Sequence, residues 1–263
     1  MHITNSGSTR AAPAMPLLGM RHTQQTAVII GASSGIGDAL ARELHKAGWR
    51  LGLLARRIDN LKALEADLGS RVSVGYLDVT NGDCIDNFNA MAGGLGGADL
   101  VIISAGCGYL NPTHDNGQDT EMVSVNITGF MAIAQAACAH FQTRGHGHLA
   151  AITSVAALRG NGEATTYSAS KAFQSTYLDG LRHAMQQAGV PVTITELQPG
   201  FVDTAMLKTR TPLLPLVRRL LVCDASTAAK QMLRAIHRKQ KHAYITKRYG
   251  PLALLLKVLP RPG

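Results

Sequence analysis

Apolar residues along this chain fall into short runs bounded by turn residues, and between the runs they recur every three or four positions. Short continuous runs read as buried strands, and the 3.6-residue recurrence reads as helices packed over them. Ala27 to Ile30 is the first strand, and Ile36, Leu40, Ala41 and Leu44 form the stripe of a helix that ends at Gly48. Arg50 to Ala55 resumes as strand, Leu61, Leu64 and Leu68 mark a second helix, Val72 to Leu77 a third strand, and Ile85, Phe88 and Met91 a third helix. The loop Gly93-Gly94-Leu95-Gly96-Gly97 leads into strand Leu100 to Ile103. Helices are expected from about Glu121 to Phe141, Ala164 to Gln187 and Ala225 to Arg238, with strands at His148 to Thr153, Val192 to Leu197 and, at an edge, His242 to Thr246. Strands apolar on both faces alternating with helices predict the α/β class: one doubly wound parallel sheet with helices on both faces.

Composition agrees with that picture and charge adds to it. At 263 residues, 46% hydrophobic and 16% charged, the chain can bury a sizeable core and is neither disordered nor collagen-like. Residues 1–25, rich in Ser, Thr, Ala, Pro and Gln, read as a disordered leader before a single domain over 26–263, and a start at Met15 or Met20 fits the same composition. No uninterrupted apolar run approaches the ~20 residues that span a bilayer. Cys84, Cys107, Cys138 and Cys223 have neither metal-ligand nor paired spacing, which points to a reducing, cytoplasmic setting.

The net charge of +9 is unevenly placed: residues 205–263 hold 13 Lys/Arg and one acid, Asp224, whereas residues 1–204 hold 13 Lys/Arg and 16 acids. Two segments there stand apart, an apolar stretch with Pro212 and Pro215 at about 205–222 and a tail at 239–263 whose short apolar run lies between cations. The tail suits packing against a subunit or domain first, then an anionic membrane surface or an acidic carrier protein. Nucleic acid is not expected, because aromatic interleaving and a binding motif are missing.

The chemistry-bearing residues sit at expected strand ends, where open parallel sheets bind ligands. Gly31, Gly35 and Gly37, with Ser33, Ser34 and Ile36 among them, stand between a strand and a helix. A pyrophosphate needs close backbone approach and open N–H donors, and such a turn supplies both. The second strand ends in Ala55-Arg56-Arg57, with no acid for a ribose 2′-hydroxyl and two guanidiniums for a 2′-phosphate, so NADP is favoured and Arg56 is the better placed; a solvated helix start is the competing reading. Tyr167 and Lys171 lie four apart on one helix face, and an ammonium beside a phenol stabilises the phenolate. Ser154, at a strand end, could donate to a carbonyl oxygen, and Asn126 could hold a water linking Lys171 to solvent. His146 and His148 lack further ligands at metal spacing, and no metal site is expected.

Taken together these motifs resemble the short-chain dehydrogenase/reductase family, over about residues 25–204. The glycine pattern stands here as Ile30-Gly31 through Gly37, the Tyr-x-x-x-Lys pair as Tyr167 and Lys171, with Ser154 and Asn126 beside them. Asp78-Val79 matches the usual adenine contact, and Pro199-Gly200-Phe201-Val202-Asp203-Thr204 the nicotinamide contact. Ile30 replaces the usual threonine, and Ile103-Ser104-Ala105-Gly106 stands where Asn-Asn-Ala-Gly is common; Ala105 and Gly106 keep their place and Ser104 offers one hydroxyl.

The resemblance implies a Rossmann-type fold and hydride transfer between NADP and a carbonyl or alcohol. It makes Tyr167 the general acid or base, Lys171 the residue that lowers its pKa and contacts the nicotinamide ribose, Ser154 the orienting hydroxyl and Asn126 the end of a proton relay. It further implies a homodimer or homotetramer built on the two long central helices, and a substrate lid at 205–222, here apolar and suited to an apolar or acyl-bearing substrate. A cofactor-binding sensor with little turnover, or a membrane-surface or carrier-binding module retaining the fold, are the alternatives.

Overall fold

The computed structural model describes residues 24–205, 222–246 and 249–250. The expectations for residues 1–23, for nearly all of the lid and for most of the basic tail fall outside the described residues. Six strands carry the site: β1 (Thr26–Ile30), β2 (Arg50–Ala55), β3 (Val72–Tyr76), β4 (Leu100–Ile103), β5 (Gly147–Ile152) and β6 (Val192–Pro199). A short pair follows, β7 (Val202–Asp203) and β8 (Cys223–Asp224), and β9 (His242–Ile245) completes the main sheet. That sheet is seven-stranded and parallel in the order β3-β2-β1-β4-β5-β6-β9. The direction of winding reverses between β1 and β4, which opens a crevice above their carboxyl ends.

The strands are apolar throughout because successive side chains serve two cores. Val28 and Ile30 of β1 face one, Ala27 and Ile29 the other, and Val101/Ile103 and Leu100/Ile102 of β4 divide in the same way. The first core is closed by helices α3 (Cys84–Gly94), α5 (Phe130–Arg144) and α6 (Thr165–Gln187), through Phe88, Phe130, Phe141 and Leu178. The second is closed by α1 (Gly35–Lys46), α2 (Ile58–Leu68) and α7 (Ala225–His237), through Leu40, Leu44, Leu61 and Met232. Each fully buried side chain of this size contributes about 1.5–3 kcal/mol. Asp224 caps α7 by accepting from Thr227 N at 2.7 Å, and Gly145, left-handed at φ 77°, ends α5.

One expected helix is not continuous. The helix expected at 121–141 starts earlier, at Asn116, ends later, at Arg144, and is in three pieces: α4 (Asn116–Val123), a π-helical stretch Ser124–Gly129, and α5. Asn126 lies in the π stretch, and its side chain is drawn out to the loop after β4. The run Asn116–Arg144 has the length and composition of a membrane span, although no uninterrupted apolar run was expected to approach that length; more than half of its most apolar window is buried inside the fold, as a core helix is. Other boundaries shift by a residue or two, β6 being the longest extension, through Pro199.

Two half-buried histidines should make the fold acid-sensitive. Burial, with the Lys239 charge secondary, pushes His148 down to about 4, and burial with Arg144 pushes His140 down. As pH falls below 6.5 the unfolded chain binds the proton first, so stability is lost progressively down to about pH 4. Thermal melts between pH 7 and pH 4 should therefore show a falling Tm. The His148→Gln variant should lose about 2 kcal/mol less over that window.

Candidate active site

The glycine turn lies at the carboxyl end of β1 and is compressed from both sides. Gly31 has φ +89°, its N–H donates to Leu54 O at 2.7 Å, and a Cβ there would stand 2.5 Å from Ala105 N. A Cβ on Gly37 would overlap the Gly31 carbonyl. Ser34 is the N-cap of α1 with no side-chain cap, so the first N–H groups of the helix are not closed off by the residue that usually does so. A cradle with no room for Cβ atoms, opening on an uncapped helix start, fits a pyrophosphate. Ile36 is half-buried against the core beneath it. Above the turn, Thr204 Cγ2 lies 3.2 Å from where a Gly35 Cβ would be, which brings the 199–204 segment over the same crevice.

The two arginines after β2 point to different places. Arg57 Nη2 donates to Ser33 Oγ at 3.1 Å and Ser34 Oγ at 2.5 Å, so it leans on the glycine turn; Arg56 is 59% exposed with Nη1 3.9 Å from Asp78 Oδ2. Asp78 turns its other oxygen to Thr80 N and Oγ1, at 3.0 and 2.8 Å, and Val79 packs beside Gly129. Asn60, not singled out in the sequence, donates to Ser33 O at 3.2 Å. Across the crevice, the N–H groups of Ser104 and Ala105 both donate to Ile30 O at 2.8 Å.

Tyr167, Lys171, Ser154 and Asn126 converge on the carboxyl ends of β4 and β5. Lys171 Nζ lies 5.9 Å from the Tyr167 ring centroid, as helical spacing requires, and donates to Ile152 O at 3.3 Å and Gln174 Oε1 at 3.0 Å. Ser154 is buried, and its Oγ accepts from Ala156 N at 3.1 Å. Asn126 is fully buried: Oδ1 accepts from Cys107 N at 3.0 Å, and Nδ2 donates to Cys107 O at 2.7 Å and Ser170 Oγ at 3.1 Å. Gly106 stands between the two groups, its missing Cβ 3.3 Å from Asn126 Oδ1 and 3.5 Å from Lys171 Nζ. Burial pushes the Lys171 ammonium down to about 8, against the opposing pull of Cys107 and Glu196.

Behind this group lies a buried carboxylate that the sequence reading missed. Glu196 accepts from Thr153 Oγ1 at 2.8 Å, Gln198 Nε2 at 2.9 Å and Ser175 Oγ at 3.1 Å, and meets His242 Nδ1 at 2.7 Å. It thereby ties β5, α6, β6 and β9 together one layer beneath the site. A charged residue inside the run Val192 to Leu197 was its signal in the sequence. Pro199 is buried, Val202 pairs in β7 with Cys223, and Tyr249 covers Gly200 while its Oη accepts from Phe201 N at 3.2 Å. A tyrosine 48 positions beyond Phe201 carries no local signal.

A family profile described as short chain dehydrogenase matches residues 25–213. An uncharacterized oxidoreductase of Myxococcus xanthus is 32% identical over 246 residues, covering 90% of this chain and 94% of that protein. A short chain dehydrogenase/reductase from Burkholderia phymatum in complex with NAD superimposes with TM-score 0.77 at 21% identity, over 91% of this chain and 97% of that one. An alcohol dehydrogenase from the archaeon Thermococcus sibiricus, complexed with 5-hydroxy-NADP, gives TM-score 0.73 at 25% identity over 91% and 99%.

Proposed function

The chain belongs to the short chain dehydrogenase family, and from that premise we propose that it is an NADP-dependent oxidoreductase acting on a carbonyl/alcohol pair. The observation that carries the reading is the convergence of Tyr167, Lys171 and Ser154 at the mouth of a crevice whose floor is the Gly31–Gly37 turn. The nicotinamide, when bound, supplies or accepts the hydride. Gly31, Ser33, Ser34, Gly35, Ile36 and Gly37 would hold the pyrophosphate, Asp78 and Val79 the adenosine side, Ala105 and Gly106 the stretch from the glycine turn to Lys171, and Pro199, Gly200, Val202 and Thr204 the nicotinamide side.

In the reductive direction Tyr167 gives its phenolic proton to the substrate oxygen while Ser154 donates a hydrogen bond to the same oxygen. Lys171 stabilises the phenolate left behind and would hold the nicotinamide ribose, and Asn126 anchors the far side of the group. The buried ammonium stands 5.9 Å from the Tyr167 ring centroid, and an ammonium beside a phenol favours the phenolate. An apolar or acyl-bearing substrate and a homodimer or homotetramer through the central helices complete the reading. Four free thiols, three of them buried, fit a reducing compartment.

Arg56 and Arg57 support NADP over NAD, since no carboxylate at the end of β2 would repel a 2′-phosphate. A panel of ketones, aldehydes and alcohols assayed with NADPH and NADH should give turnover with a preference for NADPH; no turnover across a broad panel with either would overturn the enzyme reading. Arg56→Ala should raise KM for NADPH by about 10-fold or more, the worth of one charge-assisted contact, and leave KM for NADH nearly unchanged.

A further inference from the structure

Lys171 and the backbone of Asn126 are joined by a side chain, not by solvent. Gln174 Oε1 accepts from Lys171 Nζ at 3.0 Å, and the other end of the same carboxamide, Nε2, donates to Asn126 O at 2.8 Å. Chemistry settles the orientation of the amide: an ammonium only donates and a backbone carbonyl only accepts. Lys171 is 5% exposed, and Gln174 and Asn126 are 0% exposed.

The carbonyl is made available by the π-helical stretch. An α-helix would deliver the N–H of Phe130 to Asn126 O, but here that N–H bonds Ile127 O and Val125 O. Gln174 comes one helical turn after Lys171, which brings it alongside the ammonium. A water in this position could accept a proton and hand it on. A carboxamide neither gains nor loses a proton in the working range.

We propose that Gln174 is a positioning residue, its neutral carboxamide bridging Lys171 to the Asn126 carbonyl where a relay water would otherwise stand and so fixing the ammonium against Tyr167. This rests on the reading of Tyr167 and Lys171 as an acid–base pair. The charged or titratable groups facing the ammonium are Tyr167 from its own helix, Cys107 from the loop after β4 and Glu196 from β6; Asn126 and the Ile152 carbonyl, from the π stretch and β5, are neutral. A neutral bridge orients the ammonium without cancelling the field that Tyr167 feels, as a carboxylate there would.

The test is a titration that requires neither cofactor nor turnover. Phenolate absorbance is followed against pH in the full-length protein carrying Gln174, Gln174→Met or Gln174→Glu, each with and without Tyr167→Phe, so that every pairwise difference isolates Tyr167. Gln174→Met keeps the length and loses both bonds, and should raise the Tyr167 midpoint by roughly half a pH unit or more. Gln174→Glu loses the donor to Asn126 O and adds a carboxylate that offsets the ammonium's field, and should raise the midpoint at least as far. A midpoint unchanged by Gln174→Met in a folded protein, judged by circular dichroism, would overturn the bridge. If that variant does not fold, an unchanged midpoint in Gln174→Glu does the same. Turnover separates the two levels: a moving midpoint without turnover in any assay sinks the enzyme reading and leaves the bridge, whereas turnover with a static midpoint sinks the bridge alone.

Discussion

Tyr167→Phe is expected to lower kcat by about 10²- to 10⁴-fold with little change in the melting temperature or in NADPH affinity, the range that a positioned acid or base contributes. Tyr167 is only half-buried, and the ring that phenylalanine retains still packs on the first core, so little but the hydroxyl is lost. Lys171 stays anchored by Ile152 O and Gln174. Ser154 and Asn126 cannot replace the phenolic proton, since neither exchanges protons near neutral pH. Steady-state kinetics on any substrate found in the panel, with cofactor binding followed by fluorescence, check the prediction. Activity within twofold of the unsubstituted protein would remove Tyr167 from the chemistry.

Gly37→Ala is expected to lose cofactor binding altogether and to lower Tm by roughly 5–10 °C, the equivalent of about 1–3 kcal/mol of overpacking. The added methyl group meets the Gly31 carbonyl and, at 3.1 Å, Ala32 Cα. These are backbone atoms of the pyrophosphate turn, which cannot rotate aside as a side chain would. Relief requires α1 to move off β1, and that opens the cradle. Gly93→Ala supplies the contrast: Gly93 is exposed in α3 with nothing within 4 Å of the new Cβ, so the same substitution should leave Tm unchanged or raise it slightly. Differential scanning calorimetry with and without NADPH distinguishes a local loss of the cradle from general unfolding.

Much of this site was legible in the chain because its parts are local. The strand–glycine–helix order around Gly31 follows from sterics within seven residues, and the shared face of Tyr167 and Lys171 from helical spacing within four. Arg56 and Arg57 were both visible as cations at a strand end, yet their difference was not: Arg57 reaches Ser33 and Ser34, 24 and 23 positions away, while Arg56 faces Asp78. Helix 121–141 was seen as apolar and periodic, and its π stretch was missed, since the pull on Asn126 comes from Cys107, 19 positions earlier.

Gln174 and Glu196 mark the same boundary more sharply. In the chain, Gln174 is one polar residue on a mixed helix and Glu196 one acid in a strand. Their roles depend on Asn126, 48 positions from Gln174, and on His242, 46 positions from Glu196. Local sterics and periodicity decide which segments become strands, turns and helices, and therefore that a nucleotide cradle and a tyrosine–lysine face exist. Which buried polar group meets which is decided by how the parallel sheet stacks distant segments: inside the fold water is excluded, and a donor must take the acceptor that topology brings to it.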